Sequence, residues 1–179
     1  MKTEYKLAEE LKIMMSEMSL DDISVSLLTK RCKINRKTFY YHFHDIYDLL
    51  ALVFLNEKIE KPHKINNPQM LIEAIFNYYS KNSKFIDAAI DSAARDLFGE
   101  FINNFCYSAF MRMILEYDSN KAIPLRERKS IARFYAYAYA NTITFYLISY
   151  KNKDLEGLMK SFNFLPKDFL KKIVQNLTK

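Results

Sequence analysis

The chain has two glycines, four prolines, two cysteines, three histidines and no tryptophan among 179 residues. So little glycine and proline leaves few tight turns, which suits an all-helical protein. No glycine-rich phosphate loop, no His-Glu metal pair and no nucleophile elbow occurs. Cys32 and Cys106 lie far apart, without metal-type spacing, and read as fillers of small buried sites. His42, His44 and His63 cluster with no cysteine or carboxylate at ligand spacing. No metal, no cofactor and no enzymatic activity is expected. The N-terminus alternates charged and apolar residues rather than opening on a continuous apolar run, so the chain reads as cytoplasmic. No internal repeat or low-complexity segment is present.

Half of the residues are hydrophobic, enough for a real core, and the formal net charge is +6. The distribution of charge matters more than its sum. Residues 1–61 carry ten Lys/Arg and ten Asp/Glu, but no acid occurs between Ile23 and His44. That window holds Lys30, Arg31, Lys33, Arg36 and Lys37, with His42 near its end. The same window, centred on VSLLTKRCKINRKTFYYHF (Val25–Phe43), reads as two short helices joined by a tight turn. Val25, Leu28 and Cys32 share one helical face, and Ile34, Phe39 and Phe43 anchor the second helix. Ser24 can cap the first and Asn35 the second. A short helix pair whose exposed face lacks negative charge is what a helix-turn-helix needs to approach a phosphate backbone. A merely solvated basic surface is the competing reading.

These residues resemble the DNA-binding domain of the TetR/AcrR family of bacterial transcription regulators. The match runs through Val25, Leu28-Thr29, Cys32-Lys33-Ile34-Asn35, Lys37-Thr38, Tyr40 and His42-Phe43, with Leu49-Leu50 at the start of the following helix. It covers about the first third of the chain. The run INRKTFYYHF is most similar to a subset related to dihydroxyacetone-kinase regulators. Three positions depart from the family pattern. Lys33 replaces the turn glycine, so a non-glycine must accept the turn, at φ > 0 and with some strain. Lys37 replaces a second glycine. Ile46 replaces a lysine that reaches a phosphate in many relatives.

Along the chain, residues 3–18 form an amphipathic helix with Leu7, Leu11, Met14, Met15 and Met18 on one face. Helices near 24–31 and 35–41 follow. Asp45 looks like the cap of a longer helix running toward Lys61, with Asp48 in its first turn. Pro62-His63 and Asn66-Asn67-Pro68 end that helix and place a domain boundary there, giving a DNA-binding domain over 1–62 and a helical regulatory and dimerisation domain over 63–179. Further helices are expected at 69–80, 83–98 and 100–117, with Gly99 as a joint. Asp118–Pro124 reads as a polar loop. Leu125 to about Lys151 reads as the longest helix, and 154–162 and 166–177 as closing helices. In the long helix, Ala132, Ala136 and Ala140 recur every four residues and are continued by Ile143 and Leu147. Such a row lets another helix approach closely. The apolar stretch Ile131–Ser149 could span a membrane by length. Arg133, Asn141, the threonines and the tyrosines make it too polar, and no membrane association is expected.

What the resemblance implies is an all-α, dimeric, sequence-specific DNA-binding regulator, most simply a repressor on a palindromic operator that an effector releases. An activator or coregulator working through a protein partner is the alternative. The helix from Asn35 would enter the major groove of double-stranded DNA. Arg36 and Lys37 would reach base edges. Thr38, Tyr40, Tyr41 and His42 would touch phosphates or base methyls, with Lys33 adding charge at the turn and Ser24 and Thr29 near the backbone. The effector pocket would draw on Phe101, Asn104, Phe105, Arg112, Tyr135 and Tyr139. The homodimer would form through Ala132, Ala136, Ala140, Ile143 and Leu147, unless that stripe packs inside one subunit.

Overall fold

A computed structural model describes residues 3–59 and 62–178. Among them all regular structure is helical: α1 (Thr3–Met15), α2 (Val25–Arg31), α3 (Arg36–His42), α4 (Ile46–Asn56), α5 (Pro68–Lys81), α6 (Ser83–Ile90), α7 (Arg95–Tyr117), α8 (Leu125–Ser149), α9 (Leu155–Lys160) and α10 (Phe169–Leu177), with short 3-10 turns at Leu20–Asp22 and Pro62–Lys64. The all-α expectation holds. Two compact units form. One comprises Met1–Lys58 and Tyr79–Phe101, the other Ile59–Tyr78 and Ile102–Lys179.

In the first unit α1 packs on α2, α4 and α6, and α2 on α3. The apolar stripe of α1 is the reason. Leu7, Leu11, Met14 and Met15 are fully or almost fully buried, as are Leu28, Phe39, Leu49, Leu50 and Phe85. Each such side chain contributes about 1.5–3 kcal/mol on leaving water. The Phe54 ring sits 5.4 Å from Phe85, 6.1 Å from Phe98 and 5.7 Å from Phe101. Lys12 pairs with Glu57 at 2.6 Å and lies 5.2 Å from the Phe85 centroid.

Helix ends follow the caps. The Leu27 amide donates to Ser24 Oγ at 3.1 Å, that of Lys37 to Asn35 Oδ1 at 2.8 Å, and that of Asp48 to Asp45 Oδ1 at 2.8 Å. Asp48 in turn accepts the His44 amide at 3.1 Å, which fixes both sides of the α4 entry. Two expectations fail at joints. Helix α4 ends at Asn56, short of Lys61, and the residues at 60 and 61 lie outside the described set. The expected 83–98 helix is two: α6 stops at Ile90, whose carbonyl accepts the Arg95 guanidinium at 2.8 Å. Gly99 lies inside α7, not at a joint. A Cβ there would meet nothing within 4 Å, so no packing demand explains it.

In the second unit α7 buries Ile102, Cys106, Ala109, Phe110, Met113 and Ile114. The polar loop after it is built on Asp118, which is 2 % exposed. Its carboxylate accepts the Ala122 and Ile123 amides at 2.8 and 3.1 Å and lies 3.5 Å from Arg128. Arg128 also donates to the Ile123 carbonyl at 2.7 Å.

The expected dimer stripe requires correction. Ala132, Ala136, Ala140, Ile143 and Leu147 are at most 3 % exposed within the single chain. They fill this subunit's own interior, so the close helix approach that small residues permit is intramolecular. The opposite side of α8 faces outward, with Phe134, Tyr137, Phe145 and Ile148 exposed.

Candidate nucleic-acid interface

The turn between α2 and α3 is set by one residue in the left-handed region: Lys33 has φ 54°. Around it the Ile34 amide donates to the Thr29 carbonyl at 3.0 Å and the Lys33 amide to that of Lys30 at 3.1 Å. These paired bonds satisfy the last carbonyls of α2 in the way a glycine-ended helix does. Lysine takes the glycine geometry, as expected, and the strain leaves a cation at the tip of the turn.

Beyond the turn α3 hangs on Phe39, which is fully buried and 5.7 Å from Phe43. With that face inward, the other side presents Arg36, Lys37, Tyr40 and Tyr41 to solvent. Tyr41 is 84 % exposed. The Arg36 guanidinium stands 5.9 Å from the Tyr40 centroid, and Tyr40 packs edge-on against Phe39 at 5.4 Å. A buried ring thus supports an exposed ring, which supports a cation, at the N-terminal end of a helix. Thr38 is half-buried. Asn35 commits its carbonyl oxygen to the cap and keeps its amide NH₂ to donate.

The cations are unequal. Arg31 is bound by Glu10 at 2.7 Å and Glu17 at 2.6 Å. Its hydrogen bond to Glu17 pushes the guanidinium pKa up and holds that carboxyl below the usual range. Arg31 therefore ties α2 to the end of α1 rather than reaching outward. Lys30, Lys33, Arg36 and Lys37 are exposed and make no ion pair among the described residues.

Two expected contacts are placed elsewhere. Thr29 is 2 % exposed and its hydroxyl donates to the Val25 carbonyl at 2.8 Å, so it is a helix-internal bond and not a DNA contact. His42 turns back toward α1, with Nδ1 3.2 Å from Glu4 Oε1. The backbone period alone could have flagged Thr29, which lies one residue from Leu28 on the inward side. The Glu4 partner is 38 residues away in sequence and leaves no local signal.

The expected pocket residues divide between the two units. Phe101 belongs to the first unit and the other five to the second. Asn104 is exposed. Arg112 has its Nε buried without a hydrogen-bond partner. Tyr135 lies 5.6 Å from Phe110 and 5.0 Å from Phe169. Tyr139 lines a cleft in the second unit, together with Asn67, Gln69, Phe162, Lys167 and Phe169 among others. Sequence reasoning did not single out the rest: Asn67 and Pro68 read as the domain boundary, and Gln69, Phe162, Lys167 and Phe169 as parts of helices with nothing local to say that they meet. No group of three or more metal-ligating side chains occurs among the described residues, and no helix there is long and apolar enough to cross a membrane.

Comparison with known proteins supplies the family. No curated protein matches the chain. A solved structure described as "Dihydroxyacetone kinase operon activator DhaS" is similar over 97 % of both chains, with 22 % identity and a TM-score of 0.63, and supports the fold. The family description "Transcriptional regulator C-terminal region", of the TetR class, matches residues 66–168, which leaves the helix-turn-helix outside the match and covers more than half of the chain. With a C-terminal region of that family joined to a capped helix-turn-helix, the chain belongs to the TetR family of transcriptional regulators.

Proposed function

We propose that the protein is a homodimeric, sequence-specific DNA-binding repressor that reads a palindromic operator with α3 and is released by an effector held in its C-terminal domain. Residues 1–62 act as the reading head and 63–179 as the regulatory and dimerisation domain. The observation that carries this reading is the outward face of α3. Arg36 and Lys37 are exposed and unpaired among the described residues, directly after a capping asparagine. Arg36 and Lys37 reach base edges. Tyr40, Tyr41, Thr38 and the Asn35 amide contact phosphates or base methyls, Ser24 the backbone beside them, and Lys33 a phosphate at the turn. The subunits pair through the outward aromatic side of α8.

Neutralising phosphates with four free cations per head gives a dimer a salt slope of up to about −7 in log K against log salt. A second reading, an activator working through a protein partner, has one observation in its favour, the description of the structural relative as an operon activator. Selection of binding sites from a random DNA pool, followed by footprinting, tests the first reading. Arg36→Ala and Lys37→Ala should each weaken binding to the selected site by about 1–3 kcal/mol and relax preference at particular base pairs. Failure to enrich any site, or unchanged affinity in both variants, would remove the base-contact assignment.

A further inference from the structure

The second unit contains a cleft of about 550 Å³ between the start of α5, the middle of α8 and the segment joining α9 to α10. That volume is in the range of small-ligand sites. One wall is aromatic. The Tyr139 ring lies 4.5 Å from Phe162 with 32° between planes and 6.5 Å from Phe169 with 24°. Ile72, Met159 and Leu165 add apolar surface. Tyr139 is 3 % exposed, yet its hydroxyl has no hydrogen-bond partner among the described residues. That hydroxyl opens into the cleft, where a ligand can supply the partner.

The rim is polar and favours an anion. No carboxylate lines the cleft. The neighbouring acids are engaged: Asp168 with Lys172 at 3.1 Å and Glu73 with the Gln69 side chain at 3.5 Å. Lys167 lines the cleft and has no ion pair among the described residues. In the first turn of α5, Asn67 takes the Met70 amide at 2.9 Å and the Leu71 amide at 3.3 Å, while Pro68 has no N–H. The Gln69 amide is left over at the positive end of a 14-residue helix.

We propose that this cleft binds a small aryl carboxylate, its ring against Tyr139, Phe162 and Phe169 and its carboxylate toward Lys167 and the first turn of α5. The Tyr139 hydroxyl gains a partner on the ligand. That such a ligand is the effector rests on the regulator reading above; that it binds does not.

The test compares 1-naphthylacetate with neutral 1-naphthylacetamide by titration calorimetry on the full chain without DNA. The acid should bind about tenfold more tightly than the amide, because a charged acceptor strengthens both rim contacts. Lys167→Gln, at an exposed position, should abolish that preference and leave the amide unchanged. Tyr139→Phe keeps the ring stack and should weaken binding by about three- to tenfold, the worth of one hydrogen bond. Absence of acid binding at millimolar concentration in a folded chain, equal binding of acid and amide, or a preference that survives Lys167→Gln would each overturn the proposal. Because binding is read without DNA, these failures leave the operator reading intact. A wild-type chain that binds the acid but selects no DNA would sink the operator reading and leave the cleft assignment standing.

Discussion

Substitutions on the two sides of α8 should fail in opposite ways, and the burial pattern says how. Ala136 is 1 % exposed and Phe145 is 67 % exposed. Ala136→Glu places a carboxylate with no cationic partner into a filled interior. Overpacking costs about 1–3 kcal/mol, and an uncompensated buried charge about 3–5 kcal/mol when it cannot reach water. The sum approaches the whole stability of an ordinary domain, about 5–15 kcal/mol. The variant should therefore melt early or fail to fold. Phe145→Glu alters a solvent-facing position, where monomer stability moves by no more than about 0.5 kcal/mol. If Phe145 is covered in a two-fold dimer, each copy loses about 1.5–3 kcal/mol of apolar burial, and symmetry doubles it to about 3–6 kcal/mol. That corresponds to a dimer weakened by about 10²- to 10⁴-fold, since each 1.4 kcal/mol is a factor of ten. Phe134→Glu should act alike. Sedimentation velocity over a dilution series, with circular dichroism melts of the same samples, separates the outcomes. A folded Ala136→Glu monomer would refute the interior assignment of the alanine stripe. A Phe134→Glu, Phe145→Glu double variant that stayed dimeric at nanomolar concentration would move the interface off this side of α8.

Three further substitutions probe single devices. Asp118→Ala strands the Arg128 guanidinium and two loop amides, and should cost about 3–5 kcal/mol in urea unfolding; a loss below about 1 kcal/mol would show that water replaces the carboxylate. Lys33→Gly relieves the left-handed backbone and should stabilise the chain by about 1 kcal/mol, while the salt slope of DNA binding falls by about one for each head; a destabilised variant would mean that the lysine side chain packs usefully. Gly157→Ala drives a methyl into the Tyr146 hydroxyl, which itself donates to the Asp154 carbonyl at 3.1 Å, and should cost about 1–3 kcal/mol; an unchanged melting temperature would show that the α8–α9 connection yields freely.

What could be read from the chain alone was whatever is encoded within about one helical turn. Ser24, Asn35 and Asp45 cap the helices they were expected to cap, because each cap needs only its own side chain and an amide two or three residues on. Lys33 at φ 54° was legible through the family resemblance, which places it where the pattern carries a turn glycine. The α6–α7 break was not legible. Ser92 accepts the Ala94 amide there at 3.1 Å and Arg95 reaches the Ile90 carbonyl at 2.8 Å, and neither residue breaks a helical pattern by its identity alone. His42 and Thr29 illustrate two ranges of the same difficulty: one is claimed by Glu4 from another helix, the other by its own backbone.

The alanine row on α8 is the clearest limit. A four-residue repeat of small side chains states that some helix comes close, and it carries no information on whether that helix belongs to the same chain. The aromatics interleaved with it are equally silent, since Tyr139 and Phe145 read alike in sequence while one is buried and the other exposed. Only the positions of the remaining helices decide which side turns inward. The same positions create the Tyr139 cleft, because its far wall is supplied by Phe162 and Phe169, more than twenty residues downstream. The proposed DNA-reading surface therefore rests on local sequence signals, and the proposed ligand and partner surfaces rest on long-range packing. Substitutions in α8, α9 and α10 should alter the cleft and the outward side of α8 while the caps and turn of α2 and α3 continue to hold the helix-turn-helix in shape.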